Sequence, residues 1–146
     1  MSMVDITYDD NATIYKKTIP VLVAHLNYGN HLGYDSLLSI IQDARIDWLK
    51  LDNMNEIAIE GSVGFLITDV AVSYKAEAFH GDMLEVSIYI TDVAKRSFLT
   101  RYKVVNLNSQ KVTAFAETKH IFYDFNLKKL ALTPEVFVAK VNKVIS

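Results

Sequence analysis

The residues best suited to chemistry fall in one short stretch and on the segment that follows it. His25, Asn27, Asn30, His31 and Asp35 lie within a single run that also holds Gly29 and Gly33. An imidazole is the side chain that most readily moves a proton near neutral pH, which makes His31 a candidate base. The same residue can equally be a loop histidine satisfied by backbone. Asn27, Gly29 and Asn30 are also what a tight turn requires, because Asn and Gly tolerate positive φ. Gly33 leaves room for a ligand or for entry into a helix. Asp35 is a carboxylate, and equally a good helix N-cap. Further along, Asp43 and Asp47 are spaced i, i+4 on a helical flank shared with Ser36. Like charges at that spacing repel slightly, and a carboxylate at a dry interface is a better base. An aspartate facing water is the commoner case.

Composition excludes much else. The chain has 146 residues, 51% hydrophobic and 22% charged, which suits one globular domain spanning 1–146 and not a disordered segment. Lys plus Arg is 15 and Asp plus Glu is 17, for a formal net charge of −2. That balance offers no electrostatic case for nucleic acid or an anionic membrane. With no cysteine there is no disulfide, thiolate ligand or cysteine nucleophile, which fits a reducing compartment. The histidines at 25, 31, 80 and 120 are too scattered for a metal-ligand pattern. No basic-then-apolar start and no long apolar run occur, so the expectation is a soluble cytoplasmic protein.

The elements that must position these residues are legible in the hydrophobic pattern. Residues 1–11 are polar and expected to fray, with a first strand over 12–18 that Pro20 ends or confines to an edge. Leu37, Leu38, Ile41, Ala44 and Trp48 make one stripe, so 36–51 is the main helix, with Asp35 as its cap. Alternation at Val70, Val72 and Tyr74, and again from Leu84 to Ile90, predicts strands. Further strands follow over 98–105 and 112–122. Thr133, Pro134 and Glu135 read as N-cap, first position and first turn of a terminal helix over about 133–145. One helix cannot cover both faces of five strands. The sheet must curl around it, leaving a face or an edge for another subunit.

This order matches the hotdog fold, an α+β arrangement of a five-stranded antiparallel sheet wrapped around one long central helix, here with a C-terminal helix added. Three segments carry the match. The loop 25–35 with Asp43, Ala44, Arg45 and Trp48 resembles the loop and helix of acyl-CoA thioesterases of the 4-hydroxybenzoyl-CoA type. Residues 64–67 and 74–86 resemble that family's second strand, turn and third strand, with Glu77 where the family usually has Pro. Lys95, Arg96, Ser97 and Phe98 are similar to the start of its next strand. The likeness covers about residues 12–125.

The resemblance implies coenzyme A thioesters as substrates and no further cofactor, because coenzyme A belongs to the substrate. It implies a homodimer or dimer of dimers, with the active site at the dimer interface. By position, the backbone N–H of Tyr34 would polarise the thioester carbonyl. The position of one branch's catalytic Asp is held here by Asn27, which is neutral and can be neither carboxylate nucleophile nor base. Its amide can still orient water or donate to the carbonyl. A second branch carries an acidic residue on the helix, which points to Asp43, with Asp35 as the other carboxylate candidate. Lys95, Arg96 and Lys75 are candidates for the coenzyme A phosphates. Gly33, Phe65, Tyr74 and Ser97 complete the substrate-binding candidates, with Trp48, Phe65 and Tyr74 lining an acyl channel or simply filling the core. The reading is an acyl-CoA thioesterase. The alternatives are a hotdog protein that binds an acyl thioester without hydrolysing it, a hydroxyacyl-thioester dehydratase, or a dimerisation domain with no ligand.

Overall fold

Along residues 97–106, Phe98, Thr100, Tyr102, Val104 and Asn106 are buried while the residues between them are part-exposed. This is what the pleat demands of a strand with one face on the core. The computed structural model describes residues 3–143. Its elements are β1 (Tyr15–Pro20), α1 (Tyr34–Lys50), β2 (Val63–Tyr74), β3 (Met83–Thr91), β4 (Ser97–Asn106), β5 (Lys111–Asp124), β6 (Lys129–Leu130) and α2 (Glu135–Val141). All strand pairs are antiparallel, in the order β1-β3-β4-β5-β2, with the two-residue β6 on β5. The hotdog arrangement expected from the sequence is present. Leu37, Ile40, Ile41, Ala44 and Leu49 of α1 are fully buried in one cluster with Leu84, Val86, Tyr102, Val104 and Ala116 of the sheet.

Several expected details are corrected. Helix α1 begins two residues early, so Gly33 is its N-cap and Asp35 stands in its first turn, capping nothing. Leu38 of the expected stripe is exposed, while Ile40, Arg45 and Leu49 are buried. The first strand starts at Tyr15, and residues 10–12 form a short 3-10 turn capped by the Asp9 side chain. Of the segment expected to fray, residues 1–2 lie outside the described residues, and its later part is held in place. Tyr8 packs on Tyr89 at 4.9 Å between ring centroids, and Asp10 pairs with Lys103 at 2.9 Å. Helix α2 is shorter than expected at its start, where Thr133 donates its hydroxyl to the Ala94 carbonyl at 2.7 Å and does not cap. The expected continuation over 144–145 lies outside the described residues.

A polar chain crosses the core between α1 and the sheet. Arg45 donates to Glu56 at 2.7 Å and to the Tyr102 hydroxyl at 2.8 Å. Tyr102 meets Thr118 at 2.7 Å, and Thr118 meets His120 Nε2 at 2.7 Å. Thr100 also reaches His120 Nε2, at 3.0 Å. The His120 ring stacks on its cross-strand neighbour Phe98, 4.3 Å away and 2° from parallel. Burial, and then the Arg45 charge, push this imidazole down to about 3.

A group with a lower pKa folded than unfolded takes its proton first in the unfolded chain. Its contribution to stability is complete above the unfolded value of about 6.5 and is lost as pH falls towards 3. Urea melts should therefore lose about 1.4 kcal/mol of unfolding free energy per pH unit between about pH 6 and pH 4.5. The His120→Gln variant should flatten that slope. The hydrogen-bonded Asp47, Asp52 and Asp124 act in the same direction only at lower pH, because their carboxyls are held below the usual carboxylate range.

Candidate active site

The loop between β1 and α1 is built by its own backbone. The Asn27 side chain accepts the Gly29 N–H at 2.9 Å, and the Asn30 N–H bonds to the Asn27 carbonyl at 3.0 Å. Asn30 has φ 62°, a conformation Asn tolerates better than most residues. The Gly33 N–H returns to the His25 carbonyl at 2.9 Å, closing the loop just before α1. The loop then docks on residues 76–79, which follow β2. The Leu32 N–H bonds to the Ala78 carbonyl at 2.7 Å, and His31 bridges to Phe79.

These contacts border an open cavity of about 350 Å³. Asn27, His31 and Tyr34 line it from the loop and helix side, and Tyr74, Lys75 and Glu77 from the opposite wall. Leu32, Ala76, Ala78 and Thr113 make the remainder. The Tyr74 hydroxyl donates to the Tyr34 carbonyl at 2.5 Å, which ties the start of α1 to the end of β2. Burial, with Asp35 and Tyr34 adding to it, pushes the Tyr74 phenol up to about 12, so it stays a donor. His31 Nδ1 lies 3.3 Å from the Leu32 carbonyl, which can only accept. A neutral ring that donates to this carbonyl carries its proton on Nδ1 and keeps a lone pair on Nε2. Nε2 stands 4.0 Å from Glu77 Oε1.

Both loop glycines make room for side chains. A Cβ on Gly29 would meet His31 Nε2 at 2.9 Å, and one on Gly33 would meet Asp35 Oδ1 at 2.6 Å. Gly33 has φ −74°, so what it supplies is space and not a rare backbone conformation. The first-turn N–H groups of α1, beginning with Tyr34, point from the helix start with no side-chain cap from Gly33.

Other candidates lie elsewhere. Asp43 pairs with Lys17 of β1 at 2.7 Å, and Lys17 also reaches Asp47 at 3.4 Å. The expected repulsion between the two aspartates is thus relieved by a shared cation, and Asp43 does not line the cavity of this chain. Phe65 is buried against Phe98 and His120, and Trp48 packs edge-on against Phe137. Lys95 and Arg96 are exposed in the β3–β4 turn, and Ser97 opens β4; none of them lines the cavity. Glu77, Thr113, Leu32, Ala76 and Ala78 were not singled out as site residues. Regular alternation stops at Tyr74, so the direction of the next side chains cannot be read from a period. Among the described residues no group of three or more His, Asp or Glu could hold a metal ion. No described helix is long and apolar enough to cross a membrane.

A curled antiparallel sheet around one long helix is the hotdog fold, and the family match makes the chain a thioester hydrolase of that fold. The chain belongs to the thioesterase-like superfamily, whose model matches residues 21–141. No curated protein sequence matches it. Solved structures agree in fold. A 1,4-dihydroxy-2-naphthoyl-CoA thioesterase from Synechocystis superposes with a TM-score of 0.80 at 20% identity, over 89% of this chain and 96% of that one. A probable thioesterase from Escherichia coli gives 0.75 at 18% identity, over 89% and 100% of the two chains. A Staphylococcus aureus protein in complex with CoA gives 0.78 at 14% identity, over 90% and 87%.

The Tyr74→Phe variant should lose the tie to Tyr34. The expected cost is about 1 kcal/mol of unfolding free energy, the usual net value of one hydrogen bond, read from urea melts.

Proposed function

We propose that the chain is an acyl-CoA thioesterase in which His31 is the general base. The observation that carries this reading is the placement of His31: Nδ1 lies 3.3 Å from the Leu32 carbonyl, and the ring lines the cavity that opens beside the start of α1. A water gives its proton to Nε2 as its oxygen attacks the thioester carbon. The Tyr34 N–H takes the developing oxyanion, aided by the positive end of the helix dipole. When the C–S bond breaks, the imidazolium returns the proton to the departing thiolate. The products are a carboxylic acid and coenzyme A. The Asn27 oxygen is engaged by Gly29, so its NH₂ is the part that can donate to the substrate carbonyl. Superfamily membership and the CoA-bound S. aureus structure support coenzyme A as the carrier. Lys75, in the cavity wall, is the candidate cation for its phosphates. The reaction calls for no cofactor, and the cysteine-free composition accords with a cytoplasmic location.

A homodimer is part of the proposal. The sheet has two edges. β1 is short, carries Lys16 and Lys17 and ends in Pro20, which are devices that discourage pairing. β2 is twice as long and exposes Leu66, Ile67 and Val70. It is the edge suited to a second copy. The Val70→Lys variant should convert a dimer to a monomer, with mass read by light scattering.

The test of activity is thiol release from short, medium, long and aromatic acyl-CoAs. His31→Ala should lower turnover about a hundredfold or more, the scale of a lost general base. Asp43→Ala, which removes only the partner of Lys17, should stay near wild type. The neutral Asn27 favours one other reading, an acyl-thioester binder without turnover. Tight binding of acyl-CoA with no thiol release would establish that instead.

A further inference from the structure

Resting on the hydrolytic reading above, we infer that Glu77 is a further catalytic residue, whose carboxylate and His31 Nε2 together hold the attacking water. Among the described residues lining the cavity, Glu77 is the one carboxylate. The residue standing where a carboxylate would otherwise be expected, Asn27, has none. His31 Nε2 and Glu77 Oε1 are 4.0 Å apart. In the tautomer set by Leu32, the neutral ring presents a lone pair on Nε2, and an ionised carboxylate presents lone pairs as well. Two acceptors at this distance do not bond to each other. They do fit one water that donates a hydrogen to each, at about 2.8 Å from both.

The backbone holds the two groups in this relation. The Leu32 N–H to Ala78 carbonyl bond and the His31–Phe79 bridge pair the His31 segment of the loop with Ala78 and Phe79, the two residues that follow Glu77. Gly29 leaves the space in which the His31 ring lies. The chemistry balances without any added reactant. One water hydrogen passes to Nε2, the other remains on the attacking oxygen, and no proton passes to Glu77. After the transfer, Glu77 faces an imidazolium and stabilises it. After C–S cleavage the proton leaves Nε2 for the thiolate. The other titratable groups lining the cavity are Tyr34 at the start of α1, Tyr74 at the end of β2 and Lys75 just after it.

The experiment measures kcat and KM against pH for the full chain and for Glu77→Gln, Glu77→Ala and His31→Ala, with the acyl-CoA that the wild type hydrolyses fastest. Glu77→Gln keeps an oxygen acceptor and removes the charge. It should lower kcat about fivefold with KM little changed, and move the acid limb of the profile to lower pH, because the imidazolium loses its counter-charge. Glu77→Ala should lower kcat further, by about twentyfold. Both variants alter an exposed side chain, and matching circular dichroism melts would exclude misfolding. If Glu77→Ala keeps kcat within about twofold and leaves the acid limb in place while His31→Ala is inactive, the inference is overturned and the hydrolytic reading stands. If the wild type releases no thiol from any acyl-CoA, the hydrolytic reading itself is overturned, and this inference with it.

Discussion

A single long helix has to bury its apolar face on a sheet whose only other helical cover among the described residues is the short α2. Everything else in the molecule answers to that constraint. The sheet curls, small residues such as Ala114 and Ala116 are completely enclosed in the core, and the aromatic rings of Phe98, Phe122 and Phe137 pack together at the end reached by Trp48 of α1. Because α1 is central, its first turn is anchored from several directions at once. The loop closes on itself at His25 and Gly33, docks on Ala78, and is tied through Tyr74. A helix start so held offers aimed N–H groups with little reorganisation, which is the property an oxyanion site needs.

The placement of Arg45 is harder to anticipate. A guanidinium in the core is costly unless fully paired. Here it is met by Glu56, from the connection after α1, and by Tyr102 at the middle of β4. The pairing joins the helix, the following loop and the central strands through one cation. The same chain of hydroxyls ends at His120, whose Nδ1 finds no partner. A proton held on Nε2 and shared with Thr118 and Thr100 leaves Nδ1 as an unfilled acceptor, which is less costly than a buried orphan donor.

The strands were legible because their alternation is clean: Phe98 to Val104 are buried in the expected phase, and so are Leu84, Val86, Ile88 and Ile90, although Ser87 and Tyr89 of the opposite face are buried too, with Tyr8 packed on Tyr89. The main helix was legible from its stripe. Its boundary was not, because Asp35 has the chemistry of a cap, whereas Gly33 takes the cap position and Asp35 folds back over it. The site was legible in its loop half only. Asn27, His31 and Tyr34 follow one another in sequence. The opposite wall, with Glu77 and Thr113, is assembled by the register of β2 on β5 and by an irregular stretch. Neither carries a local period. Asp43 shows the converse: a helix flank identifies which residues share a side, but only the position of Lys17 on β1 decides what that side meets.

The enclosure of His120 has a kinetic meaning. A ring stacked on Phe98 and bonded only to buried hydroxyls exchanges its proton with solvent only when the strands around it part. Its protonation in mild acid is therefore gated by the breathing of β4 and β5, and the rate of that event reports how often the centre of the sheet opens. The imidazole is a built-in clock for the least accessible part of the molecule, separate from the cavity at the loop.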